Sequence, residues 1–377
     1  MSESYDYIIL GAGCAGLSLL MRLLDEPALQ SKKILLIDRD VKVKNDRTWC
    51  FWEKGSGYFE PIVHHSWQQL YVKHYMGEKR LDMDAYAYKM VRGIDFYRYC
   101  FNKVKQSPNV KLLYGEVAAI NAVAGSLTVD GNSYSAGQIF SSVMLIPPVL
   151  KPGQFYLLQH FRGWWVETDY DAFDAGKADL MNFRTSQQHG CAFVYVLPVT
   201  KKRALVEYTL FTEDKLNDEE YDTGLKSFIR DELKIQSYHI EEKENGVIPM
   251  TNFVFPEQEG KVTFIGTAGG QTKASTGYTF QFIQWHSAQL VTLLAQTQKI
   301  TRQPLRFRFY DSVLLRILAE RKVDGADVFY RMFLRNKAWK VLRFLDNQTT
   351  LAEEILIMHS TKKQVFMAAA MKEILQA

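Results

Sequence analysis

Two glycine-rich loops, each between an apolar strand and a helical run, limit what this chain can fold into. The first is Gly11-Ala12-Gly13-Cys14-Ala15-Gly16, after a strand expected at Tyr5–Leu10 and before a helix at Leu17–Leu24. The second, GTAGGQTKASTGYTF from Gly266 to Phe280, follows the short apolar run Val262–Ile265 and leads into helical spacing from Tyr278 to Leu294. One such loop is a weak sign of a nucleotide. Two, far apart and in this order, suit a long ligand held at both ends, and FAD fits that better than NAD.

The first loop fits G-x-G-x-x-G. Gly11 permits the tight turn, Gly13 lets backbone approach a pyrophosphate, and Gly16 lets the helix pack closely on the strand. The helix start offers free N–H groups to phosphates. Asp38 ends the second strand, Lys33–Asp38, where an acid accepts ribose hydroxyls. In the second loop Gly266, Gly269 and Gly270 allow another close approach, while Thr276 and Gly277 are expected to open the next helix beside the flavin. The alternative for either loop is a strand–helix turn required by packing alone.

Length and composition narrow the rest. A chain of 377 residues, 47% apolar, suggests two to three domains with a sizeable core. The four cysteines show no metal spacing, no metal is expected, and their scatter fits a reducing compartment. No basic segment precedes the first strand and no apolar run reaches spanning length, so a cytoplasmic location is expected. A net charge of +4 is too small to argue for nucleic acid. Residues 298–345, however, hold 12 Lys/Arg against 4 Asp/Glu, a local charge of +8. Leu305–Tyr310 and Val313–Leu318 there mix basic and apolar residues, as a segment docking on a membrane surface does. The alternative is a solvated helix face over the core. His64, His65, His160 and His189 show no ligand spacing and read as structural or exposed.

Short strand candidates follow at Trp67–Tyr75, Val110–Gly115, Val117–Asn121, Ser126–Val129 and Gln138–Ser142. Helical spacing covers Asp95–Val104 and Asp218–Leu233. From Gln159 the texture is β, with a hairpin of Phe193–Leu197 and Ala204–Phe211. In the latter, alternation puts Leu205, Glu207, Thr209 and Phe211 on one face. A lone carboxylate among apolar neighbours is costly to bury, and desolvation raises its pKa toward a proton-transfer role. The alternative is a surface glutamate on an edge strand.

Asn45–Trp52 (NDRTWCFW), Leu205–Thr209 (LVEYT), Gln159–Trp164, Phe193–Pro198 and Gly266–Phe280 together resemble the bacterial lycopene cyclases, FAD-dependent enzymes of carotenoid synthesis. The resemblance implies an α/β fold: a Rossmann-type FAD-binding domain of the flavin hydroxylase-like kind with a β-rich insert and a helical C-terminal region. The expected bounds are 1–66, 93–150 and 255–298 for the FAD domain, 67–92 and 151–254 for the substrate domain, and 299–377 for the helical region. The implied reaction converts ψ-ends of lycopene to β-rings by a non-redox, proton-initiated cyclisation on reduced FAD, with NAD(P)H as electron source. Glu207 matches the family's essential acid/base glutamate. Arg47 is assigned to flavin or phosphate contact. Trp49, Trp52, Tyr278 and Phe280 are assigned to the substrate path, where aromatic faces stabilise a carbocation. Asn182 departs from the pattern, since the family usually carries aspartate there, and it is read as a hydrogen-bonding residue only. Two other readings stay open: an FAD- and NAD(P)H-dependent monooxygenase of similar fold, and a non-catalytic, membrane-associated carotenoid-binding flavoprotein.

Overall fold

The computed structural model describes residues 3–144, 147–296 and 304–376. The start of the basic stretch and the boundary expected after residue 298 lie outside the described residues.

The first sheet forms where the sequence is most uniformly apolar. Glu3–Leu10 is central, parallel to Asn132–Ser141 on one side and Ile34–Asp38 on the other. Strands covered on both faces read as continuous apolar runs, as ILLID does. Val110–Tyr114 and Val262–Phe264 extend the two sides, both parallel. The strand before the late glycine loop therefore shares a sheet with the strand before the first one. Helices Cys14–Asp25 and Phe280–Gln296 pack on each other over this sheet, with Gly93–Lys105 alongside.

Among the described residues the second sheet has seven strands. Their order is His239–Thr251, Tyr156–Glu167, Arg203–Thr212, Cys191–Pro198, Lys177–Asn182, Gln69–His74 and Gly77–Arg80. All neighbours run antiparallel except Lys177–Asn182 with Gln69–His74. One face buries Val194, Val206 and Tyr208 against helix Asp218–Asp231. That helix starts at a reciprocal cap between Asn217 and Glu220. The other face buries Phe193 and Phe211 against Phe329, Phe333 and Leu342 of helices Gly325–Arg335 and Ala338–Leu345.

A third sheet, Thr48–Lys54, Tyr86–Arg92 and His65–Trp67, joins the two cores. Its strand Thr48–Lys54 alternates: Trp49 and Phe51 enter the core beneath the N-terminal helix, while Trp52 enters the core of the second sheet.

Two expectations change. Helix Phe280–Gln296 starts two residues later than its apolar spacing suggests, and Thr276 and Gly277 do not open it: they lie in a turn where both N–H groups donate to the Lys273 carbonyl, the Tyr278 carbonyl accepts from Lys273 N–H at 2.8 Å, and Gly277 is left-handed at φ 71°. Trp67–Tyr75 is not one strand: His65–Trp67 belongs to the third sheet and Gln69–His74 to the second. His239–Thr251 is a strand although its sequence, HIEEKENGVIPMT, looks solvated. It lies at the sheet edge, where charged side chains discourage further pairing.

Candidate active site

The first loop and the second strand meet directly. Ala12 N–H donates to Asp38 Oδ2 at 2.6 Å. Helix Cys14–Asp25 begins after Gly13 without a side-chain cap, so its first N–H groups are free for a ligand. A Cβ on Gly16 would lie 1.9 Å from the Gly11 carbonyl oxygen, so helix and loop are in contact. A Cβ on Gly13 would meet nothing within 4 Å, which is the open space a bound group requires. The late loop reaches the same helix: a Cβ on Gly266 would lie 2.8 Å from Ala15. Gly269 closes a short 3-10 turn, Gly266–Gly269, and Gly270 follows it in the left-handed region. Two buried oxygens of this loop, Gln271 Oε1 and Thr276 Oγ1, have no partner. Arg47 pairs with Asp46 at 2.8 Å, leaves half its side chain exposed, and sits close enough to feel Cys14 at the helix start.

The late loop also touches the second sheet, since a Cβ on Gly277 would lie 1.9 Å from Gln159 Oε1. On that sheet Tyr195, Glu207, Gly163 and Glu244 form one row of directly paired residues across four strands. Paired residues share a face. Gly163 contributes only hydrogen between the two glutamates, and a Cβ there would stand 3.0 Å from Glu244 Cγ. Thr209 donates to Glu207 Oε1 at 3.1 Å and Thr48 donates to Glu244 Oε2 at 2.8 Å. Glu244 Oε1 is buried without a partner. Glu207 keeps some accessible surface although protein surrounds it, as a group lining an internal crevice does.

Both carboxyls hold their protons more tightly than usual. Burial, then the charge of Glu244, pushes Glu207 well above the carboxylate range. Burial pushes Glu244 up to about 7. Cys50 faces the same pair: burial raises its thiol first, then the charges of Glu207 and Glu244.

Strand Thr48–Lys54 thus presents Thr48, Cys50 and Trp52 to the glutamate side. Trp52 lies edge-on to Tyr278 with ring centres 4.6 Å apart and donates to Asp346 Oδ2 at 2.6 Å. Trp49 and Phe280 are elsewhere. Trp49 packs against Phe96 and Phe280, and Phe280 stacks on Phe51 at 4.3 Å, all in the core beneath the N-terminal helix. Of the four aromatics singled out in the sequence, two face the Glu207 side and two stand behind it. Glu244, Thr48 and Asp346 were missed. Glu244 sits in a run of charges, and only sheet register brings it to Glu207.

Asn182 belongs to another neighbourhood. It pairs with Val194, on the face covered by helix Asp218–Asp231. Its amide donates to Asp179 at 3.1 Å and Glu232 at 3.3 Å. A groove of about 770 Å³ lined by Arg184, Tyr208 and Glu232 opens on that side, away from Glu207. His160 is buried against Thr212 and Tyr221, as a structural histidine is.

The segment expected to dock on a membrane is mostly core. In helix Leu305–Glu320, Phe307, Val313, Leu315, Ile317 and Leu318 are buried. Arg306 binds the buried Glu354, and Arg316 pairs with Glu373 at 2.5 Å. Leu305 of that segment is 74% exposed, but a denser set of exposed apolar residues lies on the last two helices, Leu351–His359 and Lys363–Gln376. Leu351, Ile355, Leu356, Met367, Met371, Ile374 and Leu375 are each more than half exposed. No helix of the described residues is long and apolar enough to cross a membrane.

Comparisons with known proteins place this geometry. Over its whole length the chain resembles p-nitrophenol 4-monooxygenase of Pseudomonas putida, with a TM-score of 0.60, 11% identity, and coverage of 99% of this chain and 98% of that one. A geranylgeranyl bacteriochlorophyll reductase-like protein of Thermoplasma acidophilum gives 0.59 at 12% identity, covering 99% and 96%. The fold is therefore flavin hydroxylase-like, as the sequence implied. Lycopene beta-cyclase of Pantoea ananas is 24% identical over 299 residues, 74% of this chain and 72% of the relative. That of Pseudescherichia vulneris is 24% identical over 323 residues, 80% and 76%. The model of the family described as lycopene cyclase protein matches residues 6–372, so the chain belongs to the lycopene cyclase family.

Proposed function

We propose that this protein is a lycopene β-cyclase, closing the ψ-ends of lycopene to β-rings without net redox change. The observation that carries the reading is Glu207: a carboxyl whose proton burial holds more tightly than usual, paired across the sheet with Tyr195, which neighbours Tyr278 and through it Trp52. A neutral carboxyl can give its proton to a terminal double bond, which a surface glutamate, ionised near neutral pH, cannot. Ring closure then moves the positive charge, and loss of a ring proton ends the reaction. Trp52 and Tyr278 offer aromatic faces to that charge. Trp49 and Phe280, behind them, hold the strand and the loop in place.

The residues fit FAD. Gly11, Gly13 and Gly16 would receive its pyrophosphate at the helix start, Asp38 its ribose, and Arg47 a phosphate. Gly266, Gly269, Gly270, Thr276 and Gly277 would carry the flavin side, where the unpartnered Thr276 hydroxyl awaits an acceptor or donor. When bound and reduced, with NAD(P)H as electron source, the flavin supplies fixed negative charge to cationic stages of the reaction. In this reading the first sheet forms the FAD domain and the second the substrate domain, with C-terminal helices packed on the second sheet.

Lycopene is a hydrocarbon that resides in lipid, so a protein reaching it gains from a membrane surface. The exposed apolar residues of the last two helices, beside exposed Lys362 and Lys363, support peripheral docking there, on the inner face of the cell membrane.

Fold likeness to monooxygenases keeps one rival reading in play. Expression in cells that accumulate lycopene separates the two. Cyclised pigment is expected from the native chain, and none from Glu207→Gln, which should still bind FAD. Absence of cyclised pigment from the folded native protein, or oxygen consumed in step with product, would overturn the cyclase reading.

A further inference from the structure

We infer that Glu244 is a positioning residue for Glu207, the two carboxyls holding one proton between them across Gly163. Residues one strand apart on each side of Gly163 point to the same face, and the glycine lets the Glu244 side chain lie over it: a Cβ there would stand 3.0 Å from Glu244 Cγ and 3.3 Å from its unpartnered Oε1. Each carboxyl is bound once from its own side, Glu207 by Thr209 and Glu244 by Thr48. Glu244 Oε1 is then left buried and without a partner. A buried acceptor without a donor is costly, and the group able to supply one in this row is the Glu207 carboxyl. Two adjacent carboxylates in such a place resist ionising together, and their titrations belong to the pair.

Other groups facing the pair do not replace this proton. Cys50 and Tyr88 approach from the third sheet, and Tyr195 from the neighbouring strand. Tyr278 acts from the late loop through Tyr195 and Tyr88. Asp46 and Glu242 act on Glu244 and add negative charge. None of these is a cation, so none offsets the repulsion between two ionised carboxylates with a positive charge.

For the cyclisation, on which this step rests, the pair gives a balanced cycle. The Glu207 O–H bond breaks as a C–H bond forms at the terminal double bond. The pair then carries two negative charges facing one carbocation. The proton lost from the ring carbon returns to the pair and restores it. No electron is transferred and no other acid is consumed.

The test needs two readouts on the purified full chain. Infrared titration follows the protonated carboxyl directly, whether or not the protein cyclises anything. The native protein should hold one proton that leaves as pH rises through the neutral range. Glu244→Gln removes the like charge and turns an amide donor toward Glu207, so the midpoint should fall by more than about one pH unit. Thr48→Val removes a donor that favours the Glu244 anion, so the midpoint should rise. The alkaline limb of the cyclisation profile should move in the same two directions. A midpoint unchanged in either variant overturns the inference, including the case in which Glu244→Gln does not fold and Thr48→Val alone is read. If the native chain shows the shared proton but makes no cyclised pigment, the pairing stands and the cyclase reading fails.

Discussion

Trp52 donates its indole N–H to Asp346 Oδ2 at 2.6 Å, tying strand Thr48–Lys54 to the end of helix Ala338–Leu345. Burial raises the Asp346 carboxyl to about 7, against the opposing effects of Trp52 and Lys273. A carboxyl that binds its proton more tightly folded than unfolded adds stability at acid pH. That contribution is fully present below the usual carboxylate range and is lost as pH rises through about 7. Asp346→Asn keeps an acceptor for Trp52 and never ionises. It should therefore be more stable than the native chain above neutral pH, by a few kcal/mol at most, and show a flatter stability profile. Urea unfolding at mildly acid and mildly alkaline pH reads this, and parallel profiles for the two proteins would refute it.

The glycines of the first loop should separate folding from binding. Gly16→Ala drives a methyl to 1.9 Å from a backbone oxygen, which cannot give way without moving the helix. A loss of about 1–3 kcal/mol in the apoprotein is expected. Gly13→Ala meets nothing, so the apoprotein should melt as the native one does. Its FAD affinity should nevertheless fall at least tenfold, because the methyl occupies the space left for the ligand. Calorimetry of both apoproteins with FAD titration decides the matter. Unchanged affinity in Gly13→Ala would remove the proposed pyrophosphate position.

What could be read from sequence was what is local along the chain. The glycine loops are contiguous motifs, and Glu207 stands out by alternation within one strand. Glu244 is 37 positions from Glu207 and reaches it only through the pairing of Tyr156–Glu167 with both of its neighbours. Its own surroundings, EEKEN, look solvated because on this edge strand its neighbours Glu241, Glu242, Lys243 and Asn245 are exposed. Trp49 and Trp52 looked equivalent until Thr48–Lys54 was seen as a strand, which sends them to opposite sides. Arg306 and Arg316 looked free for lipid because their acceptors, Glu354 and Glu373, lie far along the chain.

Asn182 offers a check on how local the acid/base machinery is. Its amide donates to Asp179 and Glu232 on the sheet face away from Glu207. Burial already raises Asp179, so a third carboxyl at 182 would replace a donor with a like charge. Asn182→Asp should cost roughly 2–4 kcal/mol above neutral pH, where the new carboxyl is pressed to ionise. Lowering the pH should recover part of that cost by protonating it. Cyclisation per folded molecule should not rise. A many-fold increase in turnover would show that position 182 reaches the reacting end of the substrate.

The exposed apolar residues of the C-terminal helices make the membrane proposal specific. Met367, Met371 and Ile374 recur at helical spacing on the face of Lys363–Gln376 away from buried Ala369, which packs on Val313 and Ile317. Replacing Met367, Met371 and Ile374 with serine removes exposed apolar area without opening the core, so thermal stability should stay within about 0.5 kcal/mol of native. Flotation with anionic phospholipid vesicles should fall several-fold, and cyclisation of lycopene held in vesicles should fall with it. Arg308→Gln, in the segment first expected to dock, should change flotation much less, since that helix packs mainly inward. Equal flotation of the triple serine variant and the native chain would move the docking surface away from the last helix.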